Sequence, residues 1–182
     1  PVDVSVKTIF FGVSALLHSS EYRARYNPFV RQGFPRIPLP KSSELWIGLA
    51  DIGRRLPCLY DLDADLPIRP LRITGSGDGR IRCARFSVEE GMVYFNQNQS
   101  FGPVTAAHWS YQVGDYRVIK RWLVGGRARS RRGSQLNDRA LRHLVRMLSA
   151  IDELIQIPAQ VDELIKTHGG WPQAFHLRPR TP

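Results

Sequence analysis

The residues best suited to recognition chemistry lie between positions 94 and 132 of this 182-residue chain. Four consecutive amides come first: Asn96, Gln97, Asn98 and Gln99. Amide side chains can bond an adenine bidentately in the major groove of DNA, so the run is a candidate for reading base edges. An ordinary polar loop explains the same run equally well, and the sequence leaves both interpretations open.

Two groups of basic residues follow the amides. The first lies on a predicted helix whose opposite side carries Trp122 and Leu123, and the second crowds into a loop containing Gly and Ser. The planar fork of arginine suits phosphate oxygens, and phosphate contacts position a duplex without specifying its sequence. A solubilising loop is the alternative for the second group. The first group comprises Arg117, Lys120 and Arg121, and the second comprises Arg127, Arg129, Arg131 and Arg132.

The overall charge favours a polyanionic partner. The chain has 26 Lys and Arg against 16 Asp and Glu, which gives a formal net charge of +10. Lysine occurs only at positions 7, 41, 120 and 166, so the charge is mainly that of arginine. Because arginine suits bidentate contact with phosphate, we interpret the excess as a nucleic-acid-binding surface, with a solvated basic face as the alternative.

No catalytic or metal-binding motif is apparent. An acidic run starting at Asp61 begins like a calcium loop, but Leu66 stands where glycine is needed and Arg72 where the bidentate glutamate belongs. The five histidines lack ligand spacing, and the two cysteines make neither a disulfide framework nor a metal quartet. We predict no catalytic residue and no metal site. A metal-dependent nuclease stays as a less favoured alternative, because distant carboxylates can meet in space.

The elements that position these residues follow from periodicity. Apolar residues at helical spacing predict helices near residues 6–17, 45–56 and 141–155, the last capped by Asn137. Between residues 67 and 104 the period changes to two, which predicts short strands at 71–73, 81–83 and 93–95, with a hairpin turn at 75–79. Another helix is expected from near Asp115 to Gly125 and Gly126. Core and turn positions, with base stacking as the alternative, are expected at Trp109, Tyr111, Gly114, Tyr116, Trp122 and Leu123.

This pattern predicts an α+β fold in which helices pack around a small, mainly antiparallel sheet. We expect a single compact domain over residues 1–168 and a weakly ordered tail over residues 169–182. Neither a signal peptide nor an apolar run of membrane length is visible, so a cytoplasmic location is the default expectation.

Several short motifs, in order along the chain, resemble one family. They read Leu-His-Ser-Ser-Glu-Tyr-Arg at residues 17–23, Phe-Pro-Arg-Ile-Pro at 34–38, Tyr94 with Asn96, Trp-Ser-Tyr-Gln-Val-Gly-Asp-Tyr-Arg-Val at 109–118 and Lys-Arg-Trp-Leu at 120–123. Taken in series, these motifs are similar to the C-terminal target-recognition domains of type ISP restriction-modification enzymes and of related adenine DNA methyltransferases. The similarity runs from Thr8 to Ile155.

The resemblance implies recognition of a target in double-stranded DNA for a restriction-modification or phage-defence enzyme. The N6-adenine methyltransferase domain, sometimes with a nuclease or helicase, would lie N-terminal in the same polypeptide and bind S-adenosylmethionine. No cofactor is expected in this chain, because Asn27, Pro28 and Phe29 lack the second proline of the methyltransferase motif, and no glycine-rich turn leads into a helix. A standalone adaptor that binds nucleic acid or acidic protein is the alternative function.

Overall fold

The computed structural model describes residues 5–32, 35–63, 65–129 and 135–176, with the backbone alone at 27–32 and 126–129. It divides into two compact units: unit 1 contains residues 1–64 and 156–182, and unit 2 contains residues 65–155. In chain order the elements are α1 (Val6–Leu16), α2 (Ser20–Gln32), β1 (Leu39–Pro40), α3 (Ser43–Gly53), α4 (Leu56–Tyr60), β2 (Arg72–Thr74), β3 (Arg85–Ser87), β4 (Met92–Tyr94), β5 (Ser100–Gly102), α5 (Ala106–Ser110), β6 (Gln112–Val113), β7 (Tyr116–Arg117), α6 (Val118–Arg129), α7 (Asp138–Leu154), α8 (Ile157–Thr167) and β8 (Phe175–His176).

Unit 1 is mainly helical, and its closest packing joins α1 to α3. Gly53 permits that approach, since a Cβ atom there would lie 1.9 Å from the carbonyl oxygen of Phe11. Ser5 caps α1 and Ser42 caps α3, each accepting a hydrogen bond from the backbone N–H three residues later. These local signals are why both helices begin where the sequence predicts.

The segment after residue 168 continues the packing of unit 1 as far as His176. Of the tail predicted at residues 169–182, residues 177–182 lie outside the described residues; in the described part β8 pairs antiparallel with β1, and Ala174 and Phe175 are buried. Trp171 stacks on the ring of Phe175 with the centroids 4.2 Å apart. Burial of these apolar groups orders a segment that its composition alone does not mark as structured.

Unit 2 is built around a four-stranded antiparallel sheet with the order β2-β5-β4-β3. Val93 and Phe101 face each other across β4 and β5, and both are fully buried. Asn137 caps α7, which buries Leu144 and Leu148 along one side. The predicted α+β class with a small antiparallel sheet is confirmed.

Two local expectations in unit 2 are wrong. Residues 81–83 form no strand, because the backbone N–H groups of Arg82 and Cys83 both donate to the carbonyl oxygen of Phe95 instead of forming a ladder. Residues 75–79 are not a hairpin turn between consecutive strands, since β2 pairs with β5. The glycines there have a different purpose, which the neighbouring loop explains below.

Candidate nucleic-acid interface

A short hairpin leads directly into α6. β6 pairs antiparallel with β7, with Gln112 opposite Arg117, and Gly114 forms the turn at a φ of +58° that glycine adopts without steric cost. Every residue from Gln112 to Arg117 is exposed. The sequence predicted a helix from near Asp115, but α6 begins only at Val118 and continues past the two glycines to Arg129. Because β7 ends where α6 begins, the hairpin is joined to the helix without a linker.

We call the hairpin and the outer side of α6 up to Val124 the hairpin–helix surface. It forms an open pocket of about 340 Å³. The pocket is lined by Gln112, Asp115, Tyr116, Arg117, Lys120, Arg121 and Val124. The structure thus brings together the first predicted basic group on one concave surface, whereas the amides at 96–99 do not line it.

The three cations of this surface are unpaired within the described part of the chain. No described carboxylate forms an ion pair with Arg117, Lys120 or Arg121. Other arginines of the chain do have such partners: Arg25 pairs with Glu21, Arg54 with Asp51 and Arg82 with Asp78. A cation without a carboxylate partner can approach an external phosphate without first giving up an ion pair, which favours anion binding here.

Tyr116 supports the surface from the hairpin. The guanidinium carbon of Arg121 lies 5.0 Å from the centroid of the Tyr116 ring, a cation–π contact that limits where the arginine points. Tyr116 was expected among the core and turn residues, but it follows the turn and is 59% exposed. Leu123 is fully buried as predicted, and Trp122 stacks on His143 at 5.6 Å.

The amide loop, residues 96–99, divides into a buried half and an exposed half. Asn96 and Gln99 are only 5% and 7% exposed, whereas Gln97 and Asn98 are exposed. The Asn96 carboxamide donates to the carbonyl oxygen of Arg80 at 3.1 Å and to Gln99 Oε1 at 2.9 Å. Its own oxygen accepts from the backbone N–H groups of Asn98 and Gln99. Two of the four amides therefore stabilise the loop, and Gln97 and Asn98 are the two that face solvent.

The glycine run at 75–79 packs against this loop. The backbone N–H of Gly79 donates to Gln99 Oε1 at 2.9 Å. A Cβ atom on Gly75 would lie 1.8 Å from the carbonyl oxygen of Asn98, and one on Gly77 would lie 2.7 Å from Gln99 Oε1. Glycine is needed here for close approach, and this explains a cluster that the sequence suggested as a hairpin.

The second predicted basic group falls largely outside the described part of the chain. Arg127 and Arg129 belong to the backbone of α6, and their side chains lie outside the described residues, as do Arg131 and Arg132 entirely. Their assignment to phosphate contact stays a prediction.

One polar cluster in unit 2 was not identified from the sequence. His108 is 2% exposed; its Nδ1 accepts from the Thr105 backbone N–H at 3.3 Å, and its Nε2 lies 2.7 Å from Asp152 Oδ1. Arg69 pairs with the other carboxylate oxygen of Asp152. Burial lowers the pKa of His108, although the neighbouring Asp152 carboxylate acts in the opposite direction. Arg69 precedes β2, His108 belongs to α5 and Asp152 to α7, so no local spacing marks the three residues.

The described residues show two further absences. No group of three or more His, Cys, Asp or Glu converges on a possible metal site within them. Among the same residues, none of the helices combines the length and the apolar character needed to cross a bilayer.

Comparison with protein-family models identifies one family. The family model of the Type ISP C-terminal specificity domain matches residues 2–156. A comparison with curated protein sequences found no match.

Three solved structures share the fold. A nuclease-deletion mutant of the Type ISP restriction-modification enzyme LlaGI, in complex with a DNA substrate mimic, is 21% identical with a TM-score of 0.60, over 87% of this chain and 14% of that chain. A DrdV–DNA complex is 21% identical with a TM-score of 0.67, over 87% and 18%. The ATP-dependent Type ISP restriction-modification enzyme LlaBIII bound to DNA is 20% identical with a TM-score of 0.62, over 90% and 11%. This chain therefore spans less than a fifth of each of these proteins.

Proposed function

The chain belongs to the Type ISP C-terminal specificity domain family, and from this premise we propose that it recognises a target sequence in double-stranded DNA. The observation that carries the proposal is the hairpin–helix surface, where Arg117, Lys120 and Arg121 line one pocket without a carboxylate partner among the described residues. Similar folds occur in solved structures that contain DNA or a DNA substrate mimic, which supports DNA as the partner.

In the proposed mechanism this chain binds and positions DNA, and other parts of a longer polypeptide perform the chemistry. Cations on the hairpin–helix surface neutralise phosphates, and polar side chains beside them reach the base edges. An N6-adenine methyltransferase domain N-terminal to this chain then acts on an adenine that has left the base stack. The proposed cellular location is the cytoplasm.

S-adenosylmethionine, which supplies the methyl group in such enzymes, does not fit the described residues of this chain. Its usual cradle is a glycine-rich turn between a strand and a helix. The glycine run at 75–79 follows β2, but it packs against the amide loop and leads into an irregular segment at 80–84. We therefore assign cofactor binding to the methyltransferase domain and not to this chain.

The proposal is tested by selection from a pool of randomised duplex DNA with the 182-residue chain. We expect one short asymmetric motif to be enriched, and its affinity to exceed that of a scrambled site and to fall steeply with salt. Tight binding without an enriched motif would contradict target recognition and leave only a basic nucleic-acid surface. Absence of binding even at low salt would reject the DNA partner and favour an adaptor that binds acidic protein.

A further inference from the structure

The hairpin of the hairpin–helix surface is a two-stranded β-ribbon, an element that can contact base edges in a DNA groove. A two-stranded β-ribbon fits the major groove of B-DNA, which is about 12 Å wide. The ribbon of β6 and β7 ends at Gly114, where a side chain would meet no atom within 4 Å, so its tip is open to a ligand. All six residues from Gln112 to Arg117 are exposed, and no core packing would be lost if they entered a groove.

Gln112 and Arg117 are the two side chains of this ribbon that can each bond a base bidentately. They are cross-strand partners, so they project from the same face of the ribbon with Cβ atoms about 5 Å apart. Successive base pairs are separated by about 3.4 Å along the helix, so two such side chains reach neighbouring base pairs. A glutamine amide matches N6 and N7 of adenine, and an arginine guanidinium matches O6 and N7 of guanine.

The amide loop is less suited to this task than its composition indicates. Asn96 and Gln99 use their carboxamides within the loop and are almost completely buried. A buried group that is already hydrogen-bonded loses those bonds if it turns outward to a base. Gln97 and Asn98 are exposed, but neither belongs to a strand or helix that would fix its direction, whereas Gln112 and Arg117 lie on a paired ribbon joined to α6.

We propose that Gln112 and Arg117 are the specificity-determining residues of this chain, with Gln112 reading an adenine and Arg117 reading a guanine in adjacent base pairs of the major groove. This inference rests on the proposed function of DNA target recognition. Lys120 and Arg121, on the first turns of α6, contact the phosphates that flank the groove and fix the register of the ribbon.

The test compares the motifs that the wild-type chain and single variants enrich from randomised duplex DNA. We expect Gln112→Ala to lose the adenine preference at one motif position and Arg117→Ala to lose the guanine preference at the adjacent position, each by about 10-fold in discrimination. The decisive variant is Arg117→Gln, which we expect to change the preferred base at its position from guanine to adenine. A purely structural role for Arg117 would not produce a new preference.

Two controls accompany these variants. Arg142→Ala removes one positive charge from the exposed side of α7 in the same unit, and we expect its motif to equal that of the wild type. Gln97→Ala removes an exposed amide from the competing loop, with the same expectation. Circular dichroism of each variant establishes that it is folded; the replaced side chains are exposed, so the core packing is unchanged.

The outcomes separate this inference from the proposed function. If Arg117→Ala weakens binding equally for all sequences, Arg117 is a phosphate contact, and the inference fails while DNA target recognition stands. If the base preference changes in Gln97→Ala and not in the hairpin variants, the reading residues lie in the amide loop and the inference also fails. If the wild-type chain enriches no motif, the proposed function itself is refuted.

Discussion

The double variant Lys120→Ala/Arg121→Ala tests whether the hairpin–helix surface contacts phosphates. Both side chains are exposed on the first turns of α6 and have no carboxylate partner among the described residues, so their removal should cost the folded chain little. Each phosphate contact contributes about 0.9 to the slope of log affinity against log salt concentration. We therefore expect the slope to decrease by about 1.8 in the double variant.

That change of slope is large enough to measure. Over a fourfold increase in salt, from about 50 to 200 mM, the wild-type chain should lose about 12-fold more affinity for duplex DNA than the variant does. Fluorescence anisotropy with the enriched duplex and with a scrambled duplex measures both slopes. Because phosphate contacts carry no sequence information, we expect the variant to weaken binding to the two duplexes by the same factor.

A matched control distinguishes local contact from net charge. Lys7→Ala/Lys41→Ala removes the same two positive charges from exposed positions of unit 1, outside the hairpin–helix surface. If the control reduces the slope as much as Lys120→Ala/Arg121→Ala does, the effect is one of overall charge. An unchanged slope in the α6 variant would refute the assignment of these two cations to phosphate.

Three further predictions concern stability. Gly75→Ala should lower the free energy of unfolding, measured in urea, by more than about 1 kcal/mol, because φ is +88° and the added Cβ would lie 1.8 Å from a backbone oxygen. Gly125→Ala, on an open part of α6, should raise the free energy of unfolding by about 0.5–1 kcal/mol. Equal effects of the two variants would contradict the close packing at Gly75. Asn96→Ala should cost about 1–3 kcal/mol in the same assay because buried backbone groups lose their partners, and Gln97→Ala should cost almost nothing; the reverse order would show that the exposed amide holds the loop. The pKa of His108 is lowered from 6.5, so the histidine's contribution to the unfolding free energy should be constant above pH 6.5 and should decrease below it, because the unfolded chain then binds the proton more readily than the folded chain. A series of thermal denaturations at different pH values should show this decrease in stability. If a His108→Gln variant loses the same stability over the same pH range, another group causes the decrease.

The sequence predicts elements whose signals are local. Ser5, Ser42 and Asn137 cap α1, α3 and α7, because a cap needs only a side-chain oxygen and the N–H groups of the next turn. The apolar stripe of α7 repeats over many residues, so its buried side is also visible from spacing. Together with the change to a period of two between residues 67 and 104, these helices predict the α+β class.

The hairpin of β6 and β7 could not be predicted in this way. Each strand has only two residues, so the alternation of apolar and polar residues that marks a strand is not visible in the sequence. The residues after Gly114 are also compatible with the start of a helix. The sequence predicts Arg117, Lys120 and Arg121 on the outer side of one helix. The structure places Arg117 on β7 and all three in one pocket with Gln112 and Tyr116, whose position depends on the turn, and the assignment of the three cations to DNA contact stays a prediction.

The burial of Asn96 and Gln99 in the amide loop could not be predicted for a different reason. Whether Asn96 and Gln99 face water depends on contacts with Gly79 and Arg80, which are distant in sequence. The composition of a polar run is the same whether its side chains face solvent or make hydrogen bonds within the protein, so composition alone does not distinguish the two cases. The hydrogen bonds of Asn96 and the packing of the glycine run against the loop show that these two amides are structural.

Helix α6 carries exposed cations on one side and buried apolar residues on the other. Ile119 and Leu123 are fully buried and one turn apart, while Lys120 and Arg121 between them are exposed. Burial of each large aliphatic side chain contributes about 1.5–3 kcal/mol, so the helix is anchored firmly enough to hold neighbouring cations together despite their mutual repulsion. The hairpin precedes this anchored turn without a linker, and its position is therefore set by the same buried residues. Loss of Ile119 or Leu123 from the core should consequently disturb the position of Arg117 as well as the stability of unit 2.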